Sequence, residues 1–286
     1  EIEAQVIPPA FGNDPEMNES FETAIEIPLD GSVSGTFGYY HSGTGHDKAD
    51  WYTYTQDKAG TVEFTINKVG PGAANLTNQD SSSSNKIILN NLFMPQNMNS
   101  PPEGWVMETH ALQGTYFVGI TDFNNAPLDY KITTKFIPPK WNEDREPNDL
   151  RVNLDTFPAN VRIEGLLGYH KAGKGKDVAD NYYLEVKKPS ILSLNLLIDR
   201  IGSGNIRLKS NDHLLKSEFF NETNIDKALK VNQTVEPGIY LLELEYASGV
   251  FGYQVDVDKL EAPEADFKFK KSNNTLAFEN LTNAEQ

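Results

Sequence analysis

Acidic and amide side chains gather in two short segments near the start of this chain. Asp14, Glu16 and Asn18 occupy alternate positions, and alternate side chains of an extended segment point to the same side. Asp47 and Asp50 follow in a glycine-rich segment. Calcium is a hard cation that takes about six to eight oxygen ligands from carboxylates, amides and carbonyls. The spacing therefore predicts that these five side chains contribute to a calcium site.

The same pattern recurs 130 residues later in the chain. Residues 33–52 align without a gap with 163–182, and nine of the 20 positions are identical. A repeat of this length indicates a duplicated domain, because solenoid units are only about 20–50 residues long. The identical pairs are Gly35/Gly165, Gly38/Gly168, Tyr39/Tyr169, Gly43/Gly173, Gly45/Gly175, Asp47/Asp177, Ala49/Ala179, Asp50/Asp180 and Tyr52/Tyr182. The second predicted set of metal ligands is Asp144, Glu146, Asn148, Asp149, Asp177 and Asp180.

Acidic loop residues are often solvated turn formers that bind nothing. For one acidic loop in isolation, that interpretation would be preferred. Duplication of the acids at a fixed register favours calcium in both repeats instead. Gly173 and Gly175, which precede the second aspartate pair, permit a tight backbone that turns carbonyl groups inward.

Residues suited to catalysis are not arranged for it. The chain has no Cys, and it contains neither a G-x-S-x-G elbow nor a phosphate-binding glycine loop. Paired carboxylates can hydrolyse glycosides, but a metal explains these acids better, so we predict no enzyme and keep a cryptic hydrolase as an alternative. The histidines show no metal-ligand spacing and are expected at the surface: His41, His46, His110, His170 and His213.

The composition is that of an acidic globular protein. The chain has 286 residues, a formal net charge of −16 and 38% hydrophobic residues, which suffices for two domains of ordinary size. The negative charge argues against nucleic acid and anionic membrane surfaces, since both call for basic patches. No apolar run is long enough to span a membrane. We expect a monomeric, secreted or cell-surface bacterial protein that forms part of a longer polypeptide.

Alternating polar and apolar residues predict β-strands throughout. Residues 61–66 and 191–197 alternate in this way, and 114–120 resemble 238–244. Turns rich in Gly, Asn, Asp and Pro separate such runs, which indicates an all-β fold of two tandem jelly-roll-like β-sandwich domains. The Asn/Ser-rich segment 75–100 is expected to be a flexible surface loop with no counterpart in the second repeat. The predicted boundaries are an N-terminal linker at 1–12, sandwiches at 13–137 and 138–260, and an incomplete domain at 261–286.

Short motifs occur in the same order in both repeats. In the second repeat the motifs are Glu146-Pro147-Asn148-Asp149, Gly165-Leu166-Leu167-Gly168, Asp177-Val178-Ala179-Asp180-Asn181-Tyr182, Gly238-Ile239-Tyr240 and Gly252-Tyr253. In the first they are Glu16-Met17-Asn18-Glu19, Gly35-Thr36-Phe37-Gly38, Asp47-Lys48-Ala49-Asp50-Trp51-Tyr52, Gly114-Thr115-Tyr116 and Asp129-Tyr130. By these motifs the chain resembles the bacterial pre-peptidase C-terminal (PPC) domain family over roughly residues 13–258. The first repeat departs from the family pattern at Met17 and Glu19.

The resemblance implies a fold, a compartment and a role. It implies jelly-roll-like sandwiches, secretion and a non-catalytic role beside the catalytic domain of the same polypeptide. Related collagen-binding modules bind calcium through the acidic entry segment and the D-x-x-D loop, which agrees with the ligands predicted from spacing. The tail, at 263–267 and 276–282, is similar to the opening strands of a PKD-type domain.

Aromatic residues are the predicted contacts to a ligand. Exposed rings stack on sugar rings and extended peptides, and the candidates are Tyr39, Tyr40, Trp105 and Tyr169. The favoured function is an accessory module that holds a catalytic domain near an extracellular polymer, with polysaccharide preferred over structural protein. The alternative is a purely structural, calcium-rigidified spacer.

Overall fold

Strand-forming sequence dominates the computed structural model of the chain. The model describes residues 10–12, 14–15, 17–41, 45–80, 87–93, 104–141, 146–151, 154–221, 229–261, 267–272 and 275–280. A 3-10 helix covers Phe21–Thr23. The strands of the first repeat are β1 (Ile25–Glu26), β2 (Ser32–Phe37), β3 (Tyr40–His41), β4 (Gly45–His46), β5 (Ala49–Gln56), β6 (Gly60–Val69), β7 (Ala74–Asp80), β8 (Ile87–Phe93), β9 (Trp105–Ala111), β10 (Gly114–Asp122) and β11 (Leu128–Ile137).

Eleven further strands follow in the second repeat, and two form the tail. They are β12 (Thr156–Pro158), β13 (Val161–Leu167), β14 (His170–Lys171), β15 (Gly175–Lys176), β16 (Ala179–Val186), β17 (Ser190–Ile198), β18 (Gly202–Ser210), β19 (His213–Phe220), β20 (Leu229–Val235), β21 (Gly238–Gly249), β22 (Phe251–Glu261), β23 (Phe267–Ser272) and β24 (Thr275–Asn280).

The first sandwich consists of two sheets. One has the strand order β1-β5-β10-β7-β8, and the other has the order β15-β14-β9-β6-β11-β2. Side chains at every second position are buried in β5 and in much of β6, because one face of each strand packs on the opposite sheet. Tyr52 and Tyr116 from one sheet share a core with Phe64 and Tyr130 from the other.

The second repeat builds the same arrangement. Its sheets have the orders β12-β16-β21-β18-β19 and β13-β22-β17-β20, and the first of these reproduces the pairing of β1, β5, β10, β7 and β8. Leu192, Leu194 and Leu196 alternate inward along β17. The structure therefore confirms the predicted all-β fold with two β-sandwiches.

The expectation for segment 75–100 was wrong where the structure describes it. Residues 74–80 form β7 and 87–93 form β8, which pair in antiparallel fashion. Their counterparts in the second repeat are β18 and β19, which also pair. Polar residues misled the sequence analysis because Asn78, Gln79 and Asp80 are buried in β7. The remainder of the segment, at 81–86 and 94–100, lies outside the described residues.

The described residues fall into two compact units. Unit 1 draws on Glu1–Asn142, Leu166–Val178 and Ser248–Gly252, and unit 2 on Glu143–Gly165, Ala179–Ala247 and Tyr253–Gln286. The domain boundaries and the PKD-like nature of the tail stay predictions. Strands β23 and β24 of the tail pair with each other. Among the described residues, there is no helix with the length and apolar character that a membrane span requires.

Candidate metal centre

Three of the predicted calcium ligands of the first repeat come together in unit 1. Asp14, Asp47 and Asp50 each offer a carboxylate oxygen, and these oxygens lie within 4.8 Å of one another. Calcium–oxygen bonds are about 2.3–2.6 Å long, so two ligands on opposite sides of one ion lie about 5 Å apart. One calcium ion therefore fits between the three carboxylates. We call these three residues the first acidic cluster.

Neighbouring strands hold the first acidic cluster in place. The Thr36 backbone N–H and hydroxyl both donate to Asp14 Oδ2, at 2.7 and 2.8 Å. The backbone of Asp47 is fixed by two hydrogen bonds, from Gly38 N–H to its carbonyl at 3.3 Å and from its own N–H to the Tyr39 carbonyl at 3.2 Å. Gly38 has a φ of 71°, which only glycine adopts readily. This requirement explains why the glycine recurs in both repeats.

Asp50 is fixed by two tyrosines, Tyr130 from β11 of the opposite sheet and Tyr52 from its own strand β5. Tyr130 donates a short hydrogen bond to Asp50 Oδ2, so its hydroxyl can accept from Tyr52, whose oxygen lies 2.7 Å away. Burial, followed by the charge of Asp50, raises the pKa of Tyr130 well above its usual value, which keeps the donor protonated. Gly35 makes room for the ring, because a Cβ there would lie 2.2 Å from the Tyr130 hydroxyl.

Asn18 supplies a second, independent indication of a ligand. Its side chain is 0% exposed, and its backbone carbonyl accepts from Trp51 N–H at 2.7 Å, next to Asp50. The Asn18 amide hydrogen-bonds the Tyr52 hydroxyl, whereas its side-chain carbonyl oxygen has no hydrogen-bond partner within the described part of the chain. Buried polar atoms without a partner are rare in folded proteins and call for an explanation such as an unseen ion or water. A cation at the first acidic cluster would accept the Asn18 carbonyl as a ligand.

Electrostatics favour a cation in this place. Two carboxylates about 4.8 Å apart repel by roughly 3 kcal/mol at an effective dielectric constant of about 20. Asp47 and Asp50 are 5% and 1% exposed, so water screens this repulsion poorly. A divalent cation would convert the repulsion into attraction. The donors are all oxygens, which suits calcium or magnesium better than zinc.

In unit 2, the tyrosine arrangement around Asp180 repeats that around Asp50. Tyr253 donates to Asp180 Oδ2 at 2.6 Å, Tyr182 lies 2.7 Å from Tyr253, and Asn148 Nδ2 donates to the Tyr182 hydroxyl at 3.1 Å. A Cβ on Gly165 would lie 2.3 Å from the Tyr253 hydroxyl. This buried chain of donors explains why Gly, Asp and Tyr recur together in the repeat.

The remaining predicted ligands differ in their surroundings. In unit 2, Glu146 is exposed and Asp149 is half-buried. In unit 1, Asp177 is 0% exposed, and its Oδ1 lies 3.1 Å from Lys171 Nζ. Glu16 and Asp144 lie outside the described residues. Lys171 was not predicted as part of the site, although one signal was present in the sequence: the 130-residue shift aligns it with His41, a residue of a different type.

The aromatic candidates do not all reach the surface. Tyr40 is 72% exposed and Tyr39 is 43% exposed, while the Tyr39 hydroxyl donates to Asp129 Oδ1 at 3.1 Å. Trp105 is half-buried beneath the ammonium group of Lys68, 5.6 Å from its ring centre. Tyr169 is 0% exposed, so its ring is not presented to a ligand, contrary to the expectation. Its place in the core accounts for its recurrence in the repeat.

One histidine also departs from the expectation of a surface position. His170 is 8% exposed, and its Nε2 lies 3.1 Å from Asp80 Oδ2. Asp80 also accepts a hydrogen bond from Gly173 N–H. Both contacts lie within unit 1. A buried carboxylate needs such partners, and no sequence spacing links positions 80 and 170.

Comparisons with known proteins return structures only. No protein-family model and no curated protein matches the sequence. The chain is similar to the pre-peptidase C-terminal domain of a collagenase from Bacillus anthracis, with 16% identity, a TM-score of 0.31, and 43% of this chain and 100% of that chain covered. It is also similar to the N-terminal CBM22-1-CBM22-2 tandem domain of Xyn10C from Paenibacillus barcinonensis, with 7% identity, a TM-score of 0.21, and 81% and 92% covered. Similarity at these TM-scores indicates neither function nor ligand.

Proposed function

We propose that this chain is a non-catalytic accessory module of a secreted, multidomain bacterial hydrolase. In this proposal calcium stabilises the module, and the module binds an extracellular polymer, with neutral polysaccharide favoured over structural protein. The first acidic cluster and the buried amide of Asn18 are the observation that carries the proposal. The motifs that resemble PPC domains support the accessory role and secretion.

The calcium ion would act on the structure rather than on a substrate. Asp14 precedes the first strand, Asp47 follows β4 and Asp50 lies in β5. An ion bound by all three would tie the entry segment to the sandwich. A ligand that binds only the folded state stabilises it by RT ln(1 + [L]/Kd), about 2.7 kcal/mol at 100 times Kd.

The polymer would contact the exposed aromatic residues of unit 1. Tyr40 and Tyr39 are adjacent in the chain and both are exposed, so they offer a ring surface on which a sugar can stack. The net charge of −16 favours a neutral polymer, because an anionic one would be repelled. Trp105 is a further contact in this proposal.

Thermal unfolding with calcium and with EDTA tests the metal. We expect calcium to raise the melting temperature of the wild-type protein and EDTA to lower it. Asp47→Asn should abolish the calcium-dependent shift, yet melt no lower than the wild type in EDTA, because the neutral amide relieves the repulsion in the first acidic cluster. Asp57→Asn removes the same charge from an exposed site and should keep the full shift. If the melting temperature of the wild type is the same with calcium and with EDTA, the metal part of the proposal is overturned.

Sedimentation with insoluble polymers tests the ligand. We expect the protein to bind a neutral glycan such as chitin or cellulose more tightly than collagen, and Tyr40→Ala to weaken binding at least tenfold. Phe123→Ala is the matched control, because Phe123 is an aromatic residue of unit 1 that is 55% exposed and is not one of the proposed contacts. Binding to none of the polymers would favour the structural spacer, and release of soluble sugars or peptides would reveal a cryptic hydrolase.

A further inference from the structure

We propose that the side chain of Lys171 takes the place of a metal ion at Asp177, so that the second repeat needs no calcium. The inference rests on the proposed calcium site of the first repeat and assigns the two repeats different cations. Calcium neutralises the acids of the first repeat, whereas the chain's own ammonium group neutralises Asp177.

The contact itself is that of a buried ion pair. Lys171 Nζ lies 3.1 Å from Asp177 Oδ1, and the two side chains are 8% and 0% exposed. Lysine is almost never buried without a partner of opposite charge. Removal of both groups from water strengthens their attraction and makes either charge unfavourable without the other. The pair is therefore a fixed part of this structure and not a chance surface contact.

The same contact disfavours calcium at Asp177. A calcium ion bound to this carboxylate would lie about 2.3–2.6 Å from its oxygens, and the ammonium nitrogen is only 3.1 Å from one of them. A monovalent and a divalent cation would then be neighbours in a site from which water is excluded, and their repulsion would be strong. The Lys171 ammonium group therefore disfavours calcium at Asp177.

Lys171 and its counterpart in the first repeat, His41, occupy equivalent places in their strand pairs. In β14 and β15, Lys171 lies opposite Gly175 in an antiparallel pair, and in β3 and β4, His41 lies opposite Gly45 in the same register. Gly45 and Gly175 have φ values of 96° and 100°. The two strand pairs therefore share one register, and the residue opposite the glycine is His41 in the first repeat and Lys171 in the second. Imidazole carries a permanent charge at neutral pH only when its pKa is raised, whereas lysine carries one by default.

Calcium titration calorimetry on the full chain tests this assignment. With calcium chloride as the titrant, we expect the wild type to bind one equivalent. Asp14→Asn/Asp47→Asn should bind none. Lys171→Met should bind two equivalents, and Lys171→Arg, which keeps a cation, should bind one. His41→Lys, the converse exchange, should reduce binding by the first repeat at least tenfold.

The outcomes separate this inference from the proposed function. A wild type that binds two equivalents, one of them lost in Asp177→Asn, would overturn the inference and leave the first site intact. A wild type that binds none would overturn the proposed calcium site, while a gain of one equivalent in Lys171→Met would still support the role of Lys171. If Lys171→Met is unfolded in EDTA and folds on addition of calcium, the inference is supported.

Poor folding of one variant does not remove the test. Lys171→His introduces the residue of the first repeat, and a folded Lys171→His variant that gains no calcium would contradict the inference. Lys171→Met/Asp177→Asn removes both charges and should fold without an added calcium equivalent. If none of the Lys171 variants folds, the His41→Lys variant is the deciding test. Unchanged calcium binding by the first repeat of this variant would contradict the inference that a lysine at this place in the repeat acts as the cation.

Discussion

Trp51 and Asn181 are counterparts in the two repeats, yet they belong to surfaces of opposite chemistry. Trp51 lies opposite Gly119 where β5 pairs with β10, and Asn181 lies opposite Glu243 where β16 pairs with β21. The backbone arrangement is the same in both sandwiches. The side chains on the outer faces of these two sheets nevertheless differ between the repeats.

In the first repeat this face is aromatic. The Trp51 ring covers Gly119, where a Cβ would come within 2.5 Å of the indole. Phe21 packs on Trp51 with ring centres 4.2 Å apart, and on Phe117 at 4.9 Å. Contacts of this kind depend on dispersion and the hydrophobic effect, so salt and pH should affect them little.

In the second repeat the same face is ionic. Glu243 accepts from Arg151 at 2.8 Å, Arg207 at 3.0 Å and Lys209 at 2.7 Å. Burial alone would raise the pKa of Glu243, but the hydrogen bonds from Lys209, Arg151 and Arg207 outweigh it and lower the pKa to about 2. Equivalent strands thus carry a surface governed by packing in one repeat and by charge in the other.

The largest expected effect comes from Glu243→Gln. The substitution keeps the shape but leaves three cations around a neutral amide, and we expect a loss of about 3 kcal/mol in the free energy of unfolding. Urea denaturation measures it. Gln79→Glu is a reverse control, because it places an acid on the corresponding sheet of the first repeat, where Gln79 is 7% exposed and no such basic network is described. If Glu243→Gln unfolds like the wild type, the ionic surface contributes nothing to stability.

The pH dependence of stability should separate the two surfaces next. Because the pKa of Glu243 is lowered from 4.5 to about 2 on folding, its contribution is fully present above pH 4.5 and is lost as the pH falls through about 2. The difference in unfolding free energy between the wild type and Glu243→Gln should therefore shrink between pH 5 and pH 2. Other carboxyl groups titrate in both proteins and cancel in the difference. A constant difference over this range would show that charge is not its origin.

The sequence predicted the fold better than it predicted surfaces. Alternation in 61–66 and 191–197 identified β6 and β17, because one face of each strand is apolar and buried. The pattern failed at β7, where Asn78 is 0% exposed and donates to the buried Tyr54 hydroxyl at 3.0 Å. A polar residue that is satisfied inside the core looks like a loop residue in sequence.

Only part of the candidate site was predicted from the sequence, and the reason is related. Identity between the repeats marked Asp47 and Asp50, which meet Asp14 in the first acidic cluster. Identity alone could not separate a metal ligand from a structural acid. Asp180 recurs because Tyr253 donates to it, and Lys171 was overlooked because only a difference between the repeats reveals it.

A pair of tyrosine variants should distinguish the two repeats with a smaller effect. Tyr130→Phe and Tyr253→Phe each remove the donor to a buried aspartate, and in EDTA each should lower the free energy of unfolding by about 2 kcal/mol. Saturating calcium should reduce the loss for Tyr130→Phe, because a bound ion takes over the charge of Asp50. The loss for Tyr253→Phe should not change with calcium. Urea denaturation measures both losses. If calcium changes the loss in unfolding free energy equally for the two variants, the proposed difference between the repeats is contradicted.

The smallest expected effect concerns Thr36, the counterpart of Leu166 under the 130-residue shift. The Thr36 hydroxyl donates to Asp14 Oδ2 at 2.8 Å, and the backbone N–H of the same residue donates to the same oxygen at 2.7 Å. Thr36→Val removes only the hydroxyl, so Asp14 should stay near its place but with more freedom. A net loss of about 1 kcal/mol corresponds to about a fivefold weaker calcium affinity.

Calorimetry can resolve a change of this size if the control is well matched. Thr55→Val removes a hydroxyl that lies 3.2 Å from the Thr115 hydroxyl at an exposed place on the other sheet of the first sandwich, and it should leave calcium affinity unchanged. Complete loss of calcium binding in Thr36→Val would mean that the hydroxyl is itself essential to the site, and not a support for Asp14. An unchanged affinity would mean that the backbone N–H alone positions Asp14, and the presence of Leu166 in the second repeat would then say nothing about its metal binding.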